Sequence, residues 1–232
     1  MADSHINMVL LFLLFATAHS GLAALRQRCE LRIGARAFRV IFALVSIALA
    51  LPVFIYYFNH RYDGVQLWHL QDRAWVHGLV AGLSALAFLF LYPATFNLGE
   101  IAAIQKPQVH LFETGIIRVS RHPQLIGMTL WCVAHTLWIG SSFALLTAVC
   151  LVGYHLFAVW HGDRRLYSRY GQAFVALKQR TSVIPFLAIW QGKQQFVFSE
   201  FLRPAYLGVI AVIIIFRYLH PIVLTASANL DF

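Results

Sequence analysis

Long apolar runs broken by short polar stretches set the pattern of this chain. A helix crossing a bilayer needs about 20 mostly apolar residues at 1.5 Å rise each. Six stretches meet or approach that length: Ile6–Leu25, Ala37–Phe58, Leu79–Phe96, Pro123–Gly140, Phe143–Trp160 and Pro204–Leu224. Only Ser141 and Ser142 separate the fourth from the fifth, so these two form an antiparallel hairpin. Leu166, Tyr170, Phe174 and Leu177 recur at helical spacing within Arg164–Arg203, which predicts an amphipathic helix lying on the cytoplasmic surface. The expected fold is all-α: an integral membrane bundle of about six transmembrane helices plus that surface helix, in one domain over residues 1–232.

Composition agrees with lipid as the solvent. Of 232 residues, 60% are apolar and 12% charged, and the mean hydropathy is +0.69. Soluble domains run at about 45–50% apolar and about 25% charged. The net charge of +9 does not point to nucleic acid, because the cations sit in loops between apolar runs. Arg26, Arg28, Arg32 and Arg36 follow the first run; Lys106, Arg118 and Arg121 follow the third. Arg164, Arg165, Arg169, Lys178, Arg180, Lys193 and Arg203 follow the fifth. Only Arg61, Arg73 and Arg217 fall on the opposite side, Arg39 being part of a helix start. Positive loops stay cytoplasmic, so both termini are expected on the non-cytoplasmic side. Within the loop Asn59–Gly78, Trp68, His69, Trp75 and His77 suit anchoring at the membrane interface. Cys29, Cys132 and Cys150 form no CxxC pair and no disulfide framework. Met1–Asn7 is too short for a presequence and no cleavage site follows, which suggests direct insertion or a mature form.

Candidate chemistry rests on the histidines, eleven in all. His19, His135 and His155 fall inside the first, fourth and fifth runs, where ionisable groups are costly and mark function. No carboxylate lies mid-span, so a neutral imidazole is left to bind a metal, a haem iron or a hydrogen-bond partner. Counted from the cytoplasmic ends, His19 lies about 9 Å deep, His155 about 8–10 Å and His135 about 18 Å. Depth alone therefore pairs His19 with His155. Cys132 precedes His135 by three residues on one helix face, as an alternative iron ligand or a small buried side chain. Arg121, Arg164 and Arg165 end spans on the cytoplasmic side, as topology charges or as partners for haem propionates. His60 sits at the opposite interface.

Three segments carry a family likeness. Ser120-Arg121-His122-Pro123-Gln124-Leu125-Ile126-Gly127, continuing through Leu130-Trp131-Cys132-Val133-Ala134-His135, resembles the NnrU membrane family. Ala18-His19-Ser20-Gly21-Leu22-Ala23-Ala24-Leu25-Arg26 and His161-Gly162-Asp163-Arg164-Arg165-Leu166-Tyr167 resemble the branch of that family acting on carotenoids. The resemblance implies a haem b protein of a plastid or cyanobacterial membrane. Its implied reaction isomerises the central 15-cis bond of 9,15,9'-tri-cis-zeta-carotene to give the 9,9'-di-cis form. It also implies His19 and His135 as axial ligands, Cys132 as the nearby cysteine, His60 as a further required histidine, and activity tied to reduced haem and hence to an electron donor. Here resemblance and depth disagree, since depth prefers His155 to His135.

Two other classes fit parts of the chain. Arg121 through Gly127, with Leu166-Tyr167-Ser168-Arg169-Tyr170-Gly171-Gln172-Ala173-Phe174 and Ile184-Pro185, also resembles membrane methyltransferases that use S-adenosylmethionine. Those enzymes carry two glutamates where this chain has Asp163-Arg164. A haem-binding electron-transfer or sensor protein without catalysis is the third reading.

Overall fold

The computed structural model describes residues 2–95, 111, 113–202 and 204–227. Lys106, Arg203 and the expected span end Phe96 lie outside the described residues. Among the described residues seven helices carry the fold: α1 (Ala2–Ile33), α2 (Ala35–His60), α3 (Ala74–Thr95), α4 (Pro123–Ile139), α5 (Ser142–Tyr170), α6 (Gln172–Arg180) and α7 (Pro204–Ser227). One-turn helices Ile116–Val119 and Leu187–Trp190 and a 3₁₀ turn Phe198–Phe201 lie between them. Among the described residues no strand forms; Gln66 and Ser141 make an isolated antiparallel bridge.

Five of these helices, α1, α2, α3, α5 and α7, are long and apolar enough to cross a membrane. The hairpin partner α4 has 17 residues, about 26 Å, at the lower limit for a crossing. Its length is set by Pro123, which fits the first helical turn, and by Gly140 in the left-handed region (φ 71°) at the C-cap. Helix α1 outruns its apolar run at both ends, because helical hydrogen bonding continues into polar sequence where hydropathy has already fallen.

Burial is inverted relative to a water-soluble protein. Leu13, Leu14, Leu44, Ile47, Val149, Leu156, Ile214 and Ile215 are exposed along α1, α2, α5 and α7. Inside, α1 packs on α2 and α5, α5 on α4, α4 on α3, and α7 on α3 and α2. Close packing of α3 on α4 needs Gly127, where a Cβ would lie 2.6 Å from Leu91 Cγ and 2.9 Å from the Ala87 carbonyl oxygen. A core of Met8, Phe12, Tyr57, Ile139, Phe143 and Ala144 closes the end of the bundle that holds the N-terminus.

The expected surface helix over Arg164–Arg203 is two helices and a turn-rich stretch. Leu166 and Tyr170 belong to α5, which runs on as one rod of 29 residues. Gly171 (φ 52°) then ends it and starts α6. Phe174 and Leu177 of α6 are buried within the protein, so the period read along the sequence marks a protein contact there. Several cations counted for orientation are paired. The Arg118 guanidinium donates to Glu200 at 2.9 and 3.0 Å and to Gln194 at 2.7 Å. Arg180 donates twice to Glu113 at 2.9 and 2.8 Å, and Gln194 donates to the same carboxylate at 3.1 Å. These hydrogen bonds, Arg180's above all, outweigh burial and hold the Glu113 carboxyl below the usual glutamate value.

The loop from Arg61 to Arg73 works as a cap. The last carbonyls of a helix have no partner within it. Here Trp68 Nε1 donates to the Leu137 carbonyl (3.2 Å), Gln71 Nε2 to Trp138 (2.7 Å), Gln66 Nε2 to Ile139 (2.9 Å) and the Leu67 amide to Gly140 (2.7 Å). Trp68 thus contributes its N–H to a helix end. His77 hydrogen-bonds the Gln71 carbonyl at 2.8 Å and lies edge-on to Trp138.

Candidate functional site

His19, His135 and His155 each have one nitrogen fixed. His135 Nδ1 lies 2.9 Å from the Trp131 carbonyl and His155 Nδ1 lies 2.9 Å from the Leu151 carbonyl. A carbonyl only accepts, so both Nδ1 atoms carry the proton. His19 Nδ1 is 2.9 Å from Ser46 Oγ, and that hydroxyl donates to the Phe42 carbonyl at 2.6 Å. Ser46 therefore accepts from His19 Nδ1–H. In all three rings Nε2 keeps its lone pair, the tautomer in which histidine binds a metal with its other nitrogen held.

The three do not converge on one point. His19 is stacked by Phe15 (ring centroids 5.2 Å), meets Phe42 at 4.6 Å and Tyr154 edge-on at 6.3 Å, with His155 and Arg165 in electrostatic reach. His135 stacks on Trp131 at 3.9 Å and meets His220 at 6.2 Å. The helix register measures their separation. His5 Nε2 contacts Ser142 Oγ at 3.1 Å and so marks a common level near the N-terminal end of the bundle. From that level His19 is about 21 Å along α1, His155 about 20 Å along α5, and His135 about 8 Å along α4. His19 and His155 share a depth, and His135 stands about 13 Å nearer the other face.

Cys132 is buried beside His135, Tyr57, Trp131 and Thr147, around a void of about 10 Å³. That void is smaller than a macrocycle by more than an order of magnitude. Among the described residues no group of three or more His, Cys, Asp or Glu side chains can cage a metal ion. A haem iron asks less of the protein, one or two imidazoles or a thiolate, which are donors of the kind His19, His135, His155 and Cys132 carry.

His60 ends α2 against Tyr56 (4.1 Å) and Phe143 (6.1 Å), and its Nδ1 pairs with Asp63 at 2.9 Å. Burial raises the Asp63 carboxyl, but the hydrogen bonds from His60 and Ser4 together with nearby positive charge outweigh it, leaving it below the ordinary aspartate value. The i, i+3 spacing of His60 and Asp63 was readable in the sequence; the neighbouring His5–Ser142 contact, 137 residues apart, was not.

At the opposite end of the bundle the arginines divide. Arg121 donates to the Thr181 carbonyl (3.3 Å) and hydroxyl (3.2 Å) and to Asp163 (3.5 Å). His122 reaches the same carboxylate at 2.8 Å and Lys178 at 3.3 Å. Asp163 thus ties the Arg-His-Pro turn to α5 and α6. Arg164 lies over the Trp160 ring at 5.7 Å, in an open cleft of about 570 Å³ lined also by Tyr167, Phe174 and Lys178. Arg165 donates to the Ala23 carbonyl at 3.0 Å, below His19.

Comparison with known proteins gives one family. The sequence profile of the NnrU protein family matches residues 7–228. The chain is 47% identical over 234 residues to a Zea mays protein named 15-cis-zeta-carotene isomerase, chloroplastic, covering 99% of this chain and 64% of that one. It is 49% identical over 228 residues to the Arabidopsis thaliana protein of the same name, covering 97% and 62%. The chain therefore spans a little under two thirds of the length of these curated relatives. No solved structure matches it significantly.

Proposed function

We propose, from the premise that this chain belongs to the NnrU family, that it is a multi-pass integral membrane cis–trans isomerase of a linear carotenoid. Its substrate in this reading is 9,15,9'-tri-cis-zeta-carotene, its product the 9,9'-di-cis form, and its place a plastid or cyanobacterial membrane. The observation that carries the proposal is the 47–49% identity, over nearly the whole chain, to two proteins named for this reaction.

The inventory of residues supports it. Rotation about a polyene double bond needs neither a hydrolytic base nor a proton relay, and no carboxylate lies mid-span. Bound haem b would supply an iron able to lower the double-bond character of the central carbons, chemistry that apolar side chains lack. His135, with Nδ1 held by Trp131, offers Nε2 as an axial ligand, and the Cys132 thiol stands one turn away as an alternative donor. His19 is held in the same tautomer by Ser46 and is the other ligand candidate, with His155 its neighbour at equal depth. The family likeness implies both His19 and His135 as ligands, and counted along their helices the two differ in depth by about 13 Å. His60, oriented by Asp63, sets a polar group at the non-cytoplasmic mouth. Arg165, near His19, is the cytoplasmic arginine best placed for a propionate, since Arg121 is committed to Asp163. Activity linked to reduced haem requires an electron donor as a partner; the other partners are the carotenoid and membrane lipid.

The test is conversion in bacteria that make tri-cis-zeta-carotene and express the haem-loaded protein, grown in the dark so that light does not isomerise the polyene. The di-cis form accumulates if the reading holds. Unchanged tri-cis substrate beside spectroscopically haem-loaded protein refutes it.

A further inference from the structure

We propose that the cleft between α5 and α6 binds the phosphate headgroup of an anionic lipid through Arg164 and Lys178; this rests on the reading of the chain as a membrane protein.

The exposed face of α5 is the first observation. Leu145, Val149, Leu156, Trp160 and Tyr167 are all exposed. At about 100° per residue they fall within about 60° of one another around the helix, and Arg164 lies about 40° from Trp160. Over about 22 Å, from Leu145 to Trp160, these side chains are apolar, and one turn further the face carries the guanidinium. A surface that passes from aliphatic to aromatic to cationic matches a lipid from acyl chain to interface to headgroup, with Trp and Tyr at the interface level. A free anion would leave the aliphatic part of that face unused, so the occupant is a lipid.

The charge in the cleft is the second observation. Its volume, about 570 Å³, lies within the roughly 300–1,000 Å³ of small-molecule sites. Asp163 in its wall is already engaged by Arg121 (3.5 Å), His122 (2.8 Å) and Lys178 (3.3 Å). Arg164 pairs with no carboxylate among the described residues; its guanidinium lies over the Trp160 ring at 5.7 Å. Lys178 Nζ, on α6, stands 5.8 Å from the Phe174 ring centre. Arg121, Arg164 and Lys178 thus stand against one carboxylate, and positive charge is in surplus. A guanidinium fork matches two phosphate oxygens, and Gln179 in the same wall brings an amide donor. Charge bias asks for cations at this helix end, but not that a second helix bring Lys178 to the same cleft.

The site is tested on the full-length protein in detergent, titrated with dioleoylphosphatidylglycerol, dioleoylphosphatidylcholine or inorganic phosphate, with native mass spectrometry counting bound lipid. The wild-type protein is expected to bind one phosphatidylglycerol at least about tenfold more tightly than phosphatidylcholine. One cation beside an anionic headgroup is worth about fivefold in affinity. Arg164→Gln is therefore expected to weaken phosphatidylglycerol binding about fivefold, and Arg164→Gln with Lys178→Gln about thirtyfold, with phosphatidylcholine unaffected. Arg164 is exposed and has no carboxylate partner among the described residues, so its single variant is expected to keep the wild-type Tm without lipid, which separates lost binding from lost folding. Arg28→Gln with Arg32→Gln, cations of α1 outside the cleft, is expected to bind as the wild type does. Equal affinity for the two lipids overturns the proposal, as does a double cleft variant with wild-type affinity or an equal loss in the α1 variant. Displacement of the lipid by millimolar phosphate makes the site one for a free anion and overturns the lipid assignment. A protein that alkaline carbonate strips from membranes overturns the membrane reading itself, and this inference with it.

Discussion

Replacing Gly140 by alanine tests how the α4–α5 corner is built. Gly140 has φ 71°, and a Cβ there would lie 2.2 Å from the Trp68 carbonyl oxygen and 2.8 Å from Gln66 Nε2. The left-handed backbone alone costs a non-glycine residue about 1–2 kcal/mol. The carbonyl must also retreat by about 1 Å to reach ordinary contact, and it belongs to the segment that caps α4. Its retreat strains the Leu67 amide bond to Gly140 (2.7 Å), the Gln66 bonds to Trp68 (2.7 Å) and Ile139 (2.9 Å), and the Trp68 bond to Leu137 (3.2 Å). Two or three such bonds at about 1 kcal/mol each bring the total to about 3–5 kcal/mol. For a chain of this length that lowers Tm by about 10 °C or more. Heating in detergent with a thiol-reactive dye reads it in a Cys29→Ser, Cys150→Ser background, because the remaining Cys132 is 3% exposed and reacts only on opening. Gly171→Ala is the control, with φ 52° but no atom within 4 Å of the added Cβ, so it carries the strain without the clash. Equal losses in the two variants would refute the cap as the source of the corner's stability.

Asp163→Asn removes the carboxylate shared by Arg121, His122 and Lys178; the first two are 10% and 16% exposed, so about 3 kcal/mol of stability is expected to go, measured by the same melt. Unchanged Tm would mean that solvent already screens the cluster. Gly127→Leu is expected to separate α3 from α4 and cost at least about 3 kcal/mol, and a native-like melt would show that Leu91 yields freely. Glu113 has a lowered carboxyl pKa when folded, so its stabilisation is present above the ordinary glutamate range, about 4.3, and is lost as pH falls through the folded value. Glu113→Gln is therefore expected to be less stable than native protein at pH 7, with the gap closing toward pH 3; a gap independent of pH refutes the assignment.

Much of the fold is legible along the chain, because lipid-facing helices declare themselves by apolar runs that need no tertiary context. The α4–α5 hairpin was fixed by two serines, and Pro123 and Gly140 mark its shorter arm. Where the reading slipped, the physics is specific. Hydropathy measures contact with lipid, so it ended the fifth run at Trp160 while backbone hydrogen bonds carried the rod to Tyr170. The period through Phe174 and Leu177 cannot say whether the buried face meets lipid or protein. The candidate site was legible only as a set of residue types. That Ser46 fixes His19, that Asp163 gathers the Arg-His-Pro turn, and that His220 stands over His135 are contacts between distant segments, and no local spacing encodes them.

The capping loop also dictates an order of events during biogenesis. Trp68, Gln71 and Gln66 precede the carbonyls they satisfy by 69, 67 and 73 residues. Their donors therefore leave the ribosome before α4 has been made. When the short hairpin forms, its terminal carbonyls meet a waiting set of donors, and in hydrocarbon each such group left unpaired would cost several kcal/mol. Mutations at Gln66, Trp68 or Gln71 should therefore lower the yield of correctly inserted protein more than they lower the stability of molecules already folded.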